Sequence, residues 1–192
     1  MRVTLNTIAV CLIAAGLLAA PAAADVAADK MFSDHMVLQR DMPVPVWGTA
    51  APGEKVTVAF RDQTKNAQAD KDGKWMLRLD AMKVGQPGKM TVSGAAGKPI
   101  VFDDVVVGEV WFGSGQSNMA GGTGGYAKND PVLAKMKSGG PYPDLRLYNR
   151  KTGWQDANEN SIAGFSAILF AFGQPLQKEL NVPVGLFYGA VG

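Results

Sequence analysis

Cysteine and histidine are almost absent from this sequence of 192 residues, which has one of each. The cysteine, Cys11, lies in an apolar segment near the amino terminus, so the rest of the chain has no disulfide and no thiol nucleophile. The histidine, His35, is the one imidazole available to a serine-histidine pair. A single histidine among scattered carboxylates matches no metal-ligand spacing, and we predict neither a metal nor a cofactor.

Blocks of like charge are also missing. Lysine and arginine number 19 against 17 acidic residues, which gives a formal net charge of +2, and the two signs are interspersed. This pattern favours neither nucleic acid nor an anionic membrane as a partner. Gly122–Ala127 fits a dinucleotide-binding pattern formally, but no strand directly precedes it, so we infer no nucleotide site. A neutral ligand of the size of a sugar suits this chain better.

No apolar run is long enough for a typical transmembrane helix. The longest candidate, Ile8–Leu18, follows Arg2 and precedes the small residues Ala22–Ala24. A short basic start, an apolar middle and a small-residue end are typical of a secretory signal, which we predict for residues 1–24. The expected location is therefore the periplasm or the extracellular space.

Residues 25–104 carry short apolar runs that are separated by turn residues, which predicts an antiparallel β-sandwich. In one run the alternation places Trp75, Leu77 and Leu79 on a core face. Trp47 or Trp75 could act as a sugar-stacking platform, but strand patterns favour burial, so we infer no glycan site there. The predicted strands are Met36–Gln39, Val44–Trp47, Lys55–Phe60, Lys74–Leu79, Lys89–Ser93 and Ile100–Phe102.

Residues 105–192 change to a β-α-β-α-β order, which predicts a parallel sheet with crossover helices. The longer helix carries a predicted core stripe (Phe165, Ile168, Leu169, Phe172, Leu176, Leu180), and Pro175 predicts a kink or break near residues 173–175. The glycines of residues 121–125 predict a mobile rim that resists helix formation. The predicted elements are the strands Val105–Ser114, Asp144–Tyr148 and Val184–Tyr188 and the helices Pro131–Lys137 and Phe165–Leu180.

One stretch combines an apolar strand with a candidate nucleophile. Val105–Phe112 leads into small residues and then into Ser117, which has a carboxamide on either side in Gln116 and Asn118. Because Met119 stands two residues after the serine, the stretch is not the Gly-x-Ser-x-Gly nucleophile elbow. The alternative is a tight turn in which both carboxamides only bind backbone groups.

Asp104–Trp111 followed by Gly115–Met119 resembles the sialate O-acetylesterase family, whose catalytic domain is of the SGNH-hydrolase type. Phe32–Arg40 resembles the start of that family's β-rich leading domain, and Val182–Leu186 resembles its third catalytic strand. The resemblance implies an antiparallel β-sandwich domain (25–104) before the first β-α-β-α-β part of an SGNH-type domain (105–192).

By this resemblance Ser117 is the nucleophile that attacks an acetyl ester, with support from Gln116 and Asn118, and Gly192 is an oxyanion-hole donor. The family places its catalytic aspartate and histidine later in the catalytic domain, and residues 105–192 contain no histidine. We therefore expect the front part of an esterase that is inactive alone. His35 lies in an early β segment, which favours a structural role for it.

The resulting hypothesis is a serine esterase that removes O-acetyl groups from sugars. The alternatives are a non-catalytic module that binds a glycan or a partner, and a split enzyme whose histidine comes from a second chain. Because a three-strand parallel sheet leaves a central strand without further neighbours, we also expect the second half to be poorly soluble or partly unfolded.

Overall fold

The structure, a computed structural model, describes residues 25–190. The predicted signal, residues 1–24, and the candidate donor Gly192 lie outside these described residues. The strands are β1 (Ala27–Ala28), β2 (Val37–Gln39), β3 (Val44–Thr49), β4 (Lys55–Phe60), β5 (Gln63–Gln68), β6 (Lys74–Leu79), β7 (Gly88–Ser93), β8 (Ile100–Gly113), β9 (Tyr142–Asn149), β10 (Gly153–Ala157) and β11 (Val184–Tyr188). The helices are α1 (Ser117–Ala120), α2 (Thr123–Tyr126), α3 (Pro131–Ser138), α4 (Glu159–Ala163) and α5 (Ala167–Leu180).

Two sheets organise the chain. The small sheet has the order β1-β3-β6, and the large sheet has the order β10-β9-β11-β8-β7-β4-β5, with β2 pairing to β8 as well. The strands from β4 to β7 form antiparallel pairs, whereas β8, β11 and β9 run parallel to one another. The predicted fold class, an antiparallel sandwich followed by a β-α-β-α-β unit, is confirmed.

β8 is the longest strand and runs through both halves of the chain. Its first part pairs with β7, its middle with β2 and its end, from Glu109 to Gly113, with β11. The domain boundary predicted between residues 104 and 105 thus falls inside one strand, at Asp104, whose φ is +54°. That boundary stays a prediction, and we describe the two halves as joined by a shared strand.

The core has two parts, one between the sheets and one under the helices. Trp75, Leu77 and Leu79 are buried between the sheets, as the alternation predicts. Trp47 is only half-buried, because its strand turns this side chain away from the face that buries Val44 and Val46. Under the helices Phe170 is fully buried, which stabilises the fold by about 1.5–3 kcal/mol.

Helix α5 differs from its prediction in two ways. The buried residues within the helix are Ala167, Leu169, Phe170 and Gly173. Of the predicted stripe Phe165 and Leu169 are buried and Leu176 is half-buried, whereas Ile168, Phe172 and Leu180 are exposed, so half of the stripe was wrong. The helix is rotated about its axis so that Gly173 faces the sheet. An added Cβ at Gly173 would lie 2.4 Å from Leu186 Cδ1, so the lack of a side chain there lets the helix approach the sheet. The helix also continues through Pro175, which is exposed, so water can satisfy the freed carbonyl.

The sequence prediction missed β5, β10 and α4 and anticipated a different sheet edge. β5 lies at the end of the large sheet, and its residues, polar except for Ala67, alternate between half-buried and exposed, so it lacks an apolar signal. β11 has neighbours on both sides, which contradicts the expected lack of neighbours for the central strand. Within the described residues Val110–Gly113 of β8 pairs with β11 alone, so one side of this segment has no neighbouring strand.

No helix of residues 25–190 has the length and apolarity needed to cross a bilayer.

Candidate functional site

Ser117 lies just beyond the carboxyl end of β8. The strand ends at Gly113, Gly115 adopts a φ of +139°, and α1 begins at Ser117 with Gln116 as its N-cap residue. Gly113 is needed for this approach, because an added Cβ would lie 2.7 Å from Leu169 Cδ2. Small residues therefore let the strand end pack against α5 and bring the serine to the surface.

The three candidate side chains are free to meet a ligand. Gln116, Ser117 and Asn118 are exposed, and none of their side chains makes a hydrogen bond to another residue of 25–190. The turn hypothesis required the carboxamides to bind backbone groups, and no hydrogen bond in the described part supports it. Among the same residues the Ser117 N–H has no acceptor either, so both groups that an acyl transfer needs from this serine are available.

A cleft of about 370 Å³ opens beside Asn118. Its wall is mainly apolar and comes from α2, α3 and α5, and it includes Tyr126, Leu133, Met136, Ile168 and Ala171. Sequence reasoning missed this cleft, because residues distant in the chain form it and no motif marks them. An apolar wall beside an exposed serine can accommodate the non-reacting part of an ester.

The glycine-rich segment after Met119 is held by the backbone of the α4–α5 connection. Thr123 is fully buried, and its N–H and hydroxyl both donate to Phe165 O, at 2.8 and 2.9 Å. Gly121 O accepts from Ala167 N at 2.9 Å. The prediction that this segment resists helix formation was wrong for Thr123–Tyr126, since these tertiary hydrogen bonds fix the turn that the glycines disfavour.

His35 belongs to an ionic cluster that joins both halves of the chain. Its Nδ1 lies 2.8 Å from Asp104 Oδ2, and because a carboxylate oxygen only accepts, the tautomer protonated at Nδ1 makes this hydrogen bond. Arg146 Nη1 donates to the same oxygen at 2.9 Å and lies 3.2 Å from His35 Nδ1. Arg146, which is buried on β9, also pairs with Asp156 of β10. Sequence reasoning missed this cluster, although an arginine between Leu145 and Leu147 in an apolar strand signals a buried partner.

The position of His35 excludes it as the base of Ser117. Its backbone N–H donates to Asp103 O, and Gly113 lies ten positions after Asp103 along β8, about 33 Å at the usual rise of a strand. The four residues from Gly113 to Ser117 can span at most about 14 Å. His35 therefore lies far outside hydrogen-bond reach of Ser117, and the predicted structural role fits its contacts.

The cluster also resembles a cation site in outline. Ligand atoms of His35, Asp104 and Asp156 lie within 4.8 Å of one another, although the sequence predicts no such grouping. The guanidinium of Arg146 bonds both carboxylates and so supplies the positive charge that they need. A metal would have to displace this arginine, and the residues do not fit a metal centre.

A second set of contacts fixes β8 where it leaves the sandwich. Arg40 Nε donates to Glu109 Oε1 at 2.6 Å, and Gln39 Oε1 accepts from Val110 N at 2.8 Å. The two bonds connect the last residue of β2, Gln39, and the residue after it, Arg40, to the part of β8 that leads to Ser117. These bonds fix the direction of the last part of β8 and therefore the place where Ser117 follows it.

Comparison with known proteins finds relatives that are named as acetylesterases. Human sialate O-acetylesterase is 35% identical over 193 residues, and the mouse protein of the same name is 32% identical over 189 residues. Each match covers 83% of this chain, but 36% and 34% of the relative, so the chain spans about a third of their length. A solved carbohydrate acetylesterase from Xanthomonas citri superposes with a TM-score of 0.78 and 27% identity, over 87% of this chain and 40% of that chain. No protein-family profile matches.

Proposed function

Because this chain is a member of the sialate O-acetylesterase family over its matched part, we propose that it carries the nucleophile of a serine esterase that removes O-acetyl groups from sugars. The observation that carries the proposal is Ser117 itself, exposed at the end of a parallel strand with its hydroxyl and N–H both unengaged among residues 25–190. The relatives named for sialate and carbohydrate acetyl esters give the proposed substrate class.

In the proposed reaction Ser117 Oγ attacks the acetyl carbonyl carbon and transfers its proton to a base. The bond from the acetyl carbon to the sugar oxygen then breaks, and this oxygen takes the proton from the base. Water next hydrolyses the acetyl-serine, which releases acetate and restores the serine hydroxyl. The Ser117 N–H would bind the developing oxyanion, a role for which one donor contributes about 3–4 kcal/mol. Gly192 would be a further donor, and Gln116 and Asn118 would hold the ester in place.

The base is the part that the described residues do not provide. His35 is held by Asp104 far from Ser117, and a serine without a base is a weak nucleophile. We propose that the base belongs to a segment that the longer relatives have outside the matched third. On this proposal the chain alone is inactive. Residues 1–24, with their signal-like composition, support a proposed periplasmic or secreted location.

Acetate release from O-acetylated sugars, measured with the product of the complete gene, tests the function. Ser117→Ala is expected to lower kcat/KM by about 10⁴-fold or more while leaving unfolding unchanged. Ser114→Ala is the matched control, because Ser114 is an exposed serine three residues upstream, and it should retain activity. Equal activity of Ser117→Ala and the unaltered protein would refute the proposal.

The second candidate is a binding module without catalysis. The absence of a histidine near Ser117 within residues 25–190 favours it. It predicts that the complete gene product binds an unacetylated sugar and releases no acetate. Acetate release that depends on Ser117 would exclude it.

A further inference from the structure

A second cleft, distinct from the one beside Asn118, lies between the small sheet and the end of β9. Its volume is about 630 Å³. β1 and β3 form one wall, and the turn from β9 to β10 forms the other. The side chains that matter here are Asp29, Lys30, Trp47, Lys74, Tyr148 and Arg150.

The cleft carries an excess of positive charge. Lys30, Lys74 and Arg150 are exposed, and none of the three forms a salt bridge with a carboxylate of the described chain. The single carboxylate of the lining, Asp29, accepts a hydrogen bond from Met31 N at 2.9 Å. Three cations around one carboxylate, in a chain whose formal charge is only +2, attract an anionic ligand to this concave surface.

Aromatic side chains lie among these charges. Trp47 is half-buried and packs edge-on against Phe32, with the ring centroids 4.8 Å apart. Tyr148 stacks on Phe187 at 4.0 Å, and burial, reinforced by the Asp29 carboxylate, raises the pKa of its hydroxyl. Tyr148 therefore stays neutral and can donate a hydrogen bond. An indole beside cations and a neutral hydroxyl suits a ligand with an apolar ring face and an acidic group.

The cleft lies at the same end of the sheet as Ser117. Tyr148 of β9 is in register with Phe187 of β11, and Phe187 is in register with Phe112 of β8. Neighbouring strands are about 4.8 Å apart, so the backbones of Tyr148 and Phe112 are separated by about 10 Å. Phe112 precedes Ser117 by five residues and is 62% exposed. One oligosaccharide could therefore reach both the serine and the cleft.

Against the sequence expectations of a neutral ligand and of no glycan site at Trp47, we propose that this cleft binds a carboxylate-bearing sugar residue. Lys74 and Arg150 pair with the carboxylate, Trp47 contacts the apolar face of the ring, and Tyr148 donates to a ring hydroxyl. The choice of a sugar among anionic ligands rests on the proposed function. The cationic cleft itself rests on the side chains described above. The site gives the protein a preference for acidic glycans that is independent of the ester bond.

Equilibrium binding of an oligogalacturonate, measured by titration calorimetry, tests this proposal. The fully methyl-esterified oligomer is the matched probe, since it keeps the sugar rings and loses the charges. We expect the acid form to bind and the ester not to bind, with affinity falling as salt is raised. Lys74→Gln with Arg150→Gln should weaken binding about tenfold. Lys55→Gln with Lys98→Gln removes the same charge from exposed positions outside the cleft and should leave binding unchanged.

Three results would overturn the proposal. Equal binding by both double variants would show that the cleft is not the binding site. Equal binding of the esterified oligomer would show that the carboxylate is not the group that is recognised. Competition by inorganic phosphate at the same concentration as the oligomer would reduce the site to an anion site without sugar recognition. Because binding is measured without turnover, Ser117→Ala should bind normally, so a failed esterase proposal and a failed cleft proposal are distinguishable.

Discussion

The Nδ1 of His35 donates to Asp104 Oδ2 at 2.8 Å, and this hydrogen bond holds the one histidine of the chain at the far end of the strand that leads to Ser117. Both residues have positive φ, +64° for His35 and +54° for Asp104, a conformation that costs free energy outside glycine. The histidine is therefore part of the junction between the two halves of the chain, and it serves stability.

Replacement of His35 tests this role. His35→Asn removes the imidazole but keeps a residue that tolerates positive φ, so the expected loss is that of one hydrogen bond, about 1 kcal/mol in the free energy of unfolding. Urea denaturation measures it. In the complete gene product kcat should stay unchanged, and a pH-dependent loss of kcat in this variant would instead place His35 in the chemistry.

Removal of the Arg146 guanidinium should have a larger effect. The side chain is 9% exposed and bonds Asp104 and Asp156, so Arg146→Met leaves two carboxylates without a cation. Loss of one partner of a buried pair costs about 3–5 kcal/mol, and since both carboxylates are partly exposed we expect about 2–3 kcal/mol. Urea denaturation again measures the change. Lys137→Met, which breaks the exposed pair with Glu159, is the control and should unfold like the unaltered chain.

Gly173 should resist substitution although it lies within a helix. Alanine favours a helix over glycine by about 1 kcal/mol, but its Cβ would lie 2.4 Å from Leu186 Cδ1. We therefore expect Gly173→Ala to destabilise the chain by about 1–3 kcal/mol, because overpacking outweighs propensity. Gly125→Ala in α2 is the control, since nothing lies within 4 Å of its added Cβ, and thermal unfolding should show it neutral or slightly stabilised.

Alkaline pH should destabilise the chain through its tyrosines. Burial raises the pKa of Tyr142 above its ordinary value, and its hydroxyl donates to Met136 O at 2.5 Å. A pKa raised on folding contributes stability that is complete below the unfolded value of about 10 and is lost as pH rises through the folded value. The free energy of unfolding should therefore fall above about pH 10. Tyr142→Phe should show a smaller alkaline fall, and an identical pH profile would contradict this cause.

Local signals were sufficient for much of the fold. The predicted helix start at Pro131 agrees with α3, and the residue before it, Asp130, caps the helix, since its Oδ1 accepts from Val132 N and Leu133 N at 3.0 and 2.9 Å. The bounds of Lys55–Phe60 and Lys74–Leu79 agree with their predictions. Prediction failed where another element decides the outcome: α5 turned its face to bring Gly173 to Leu186, and Thr123 fixed a helical turn in a glycine-rich segment.

The sequence by itself determined that an antiparallel half precedes a β-α-β-α-β half, which residues form the turns, and that Ser117 follows an apolar strand, because periodicity, capping and small residues act within a few positions of each other. Only the tertiary structure decided that β8 is shared by both halves, that His35 pairs with Asp104 and lies away from Ser117, and that Lys30, Lys74 and Arg150 surround one cleft. These contacts join residues far apart in the chain, and their geometry follows from sheet register and helix packing, which no local pattern encodes.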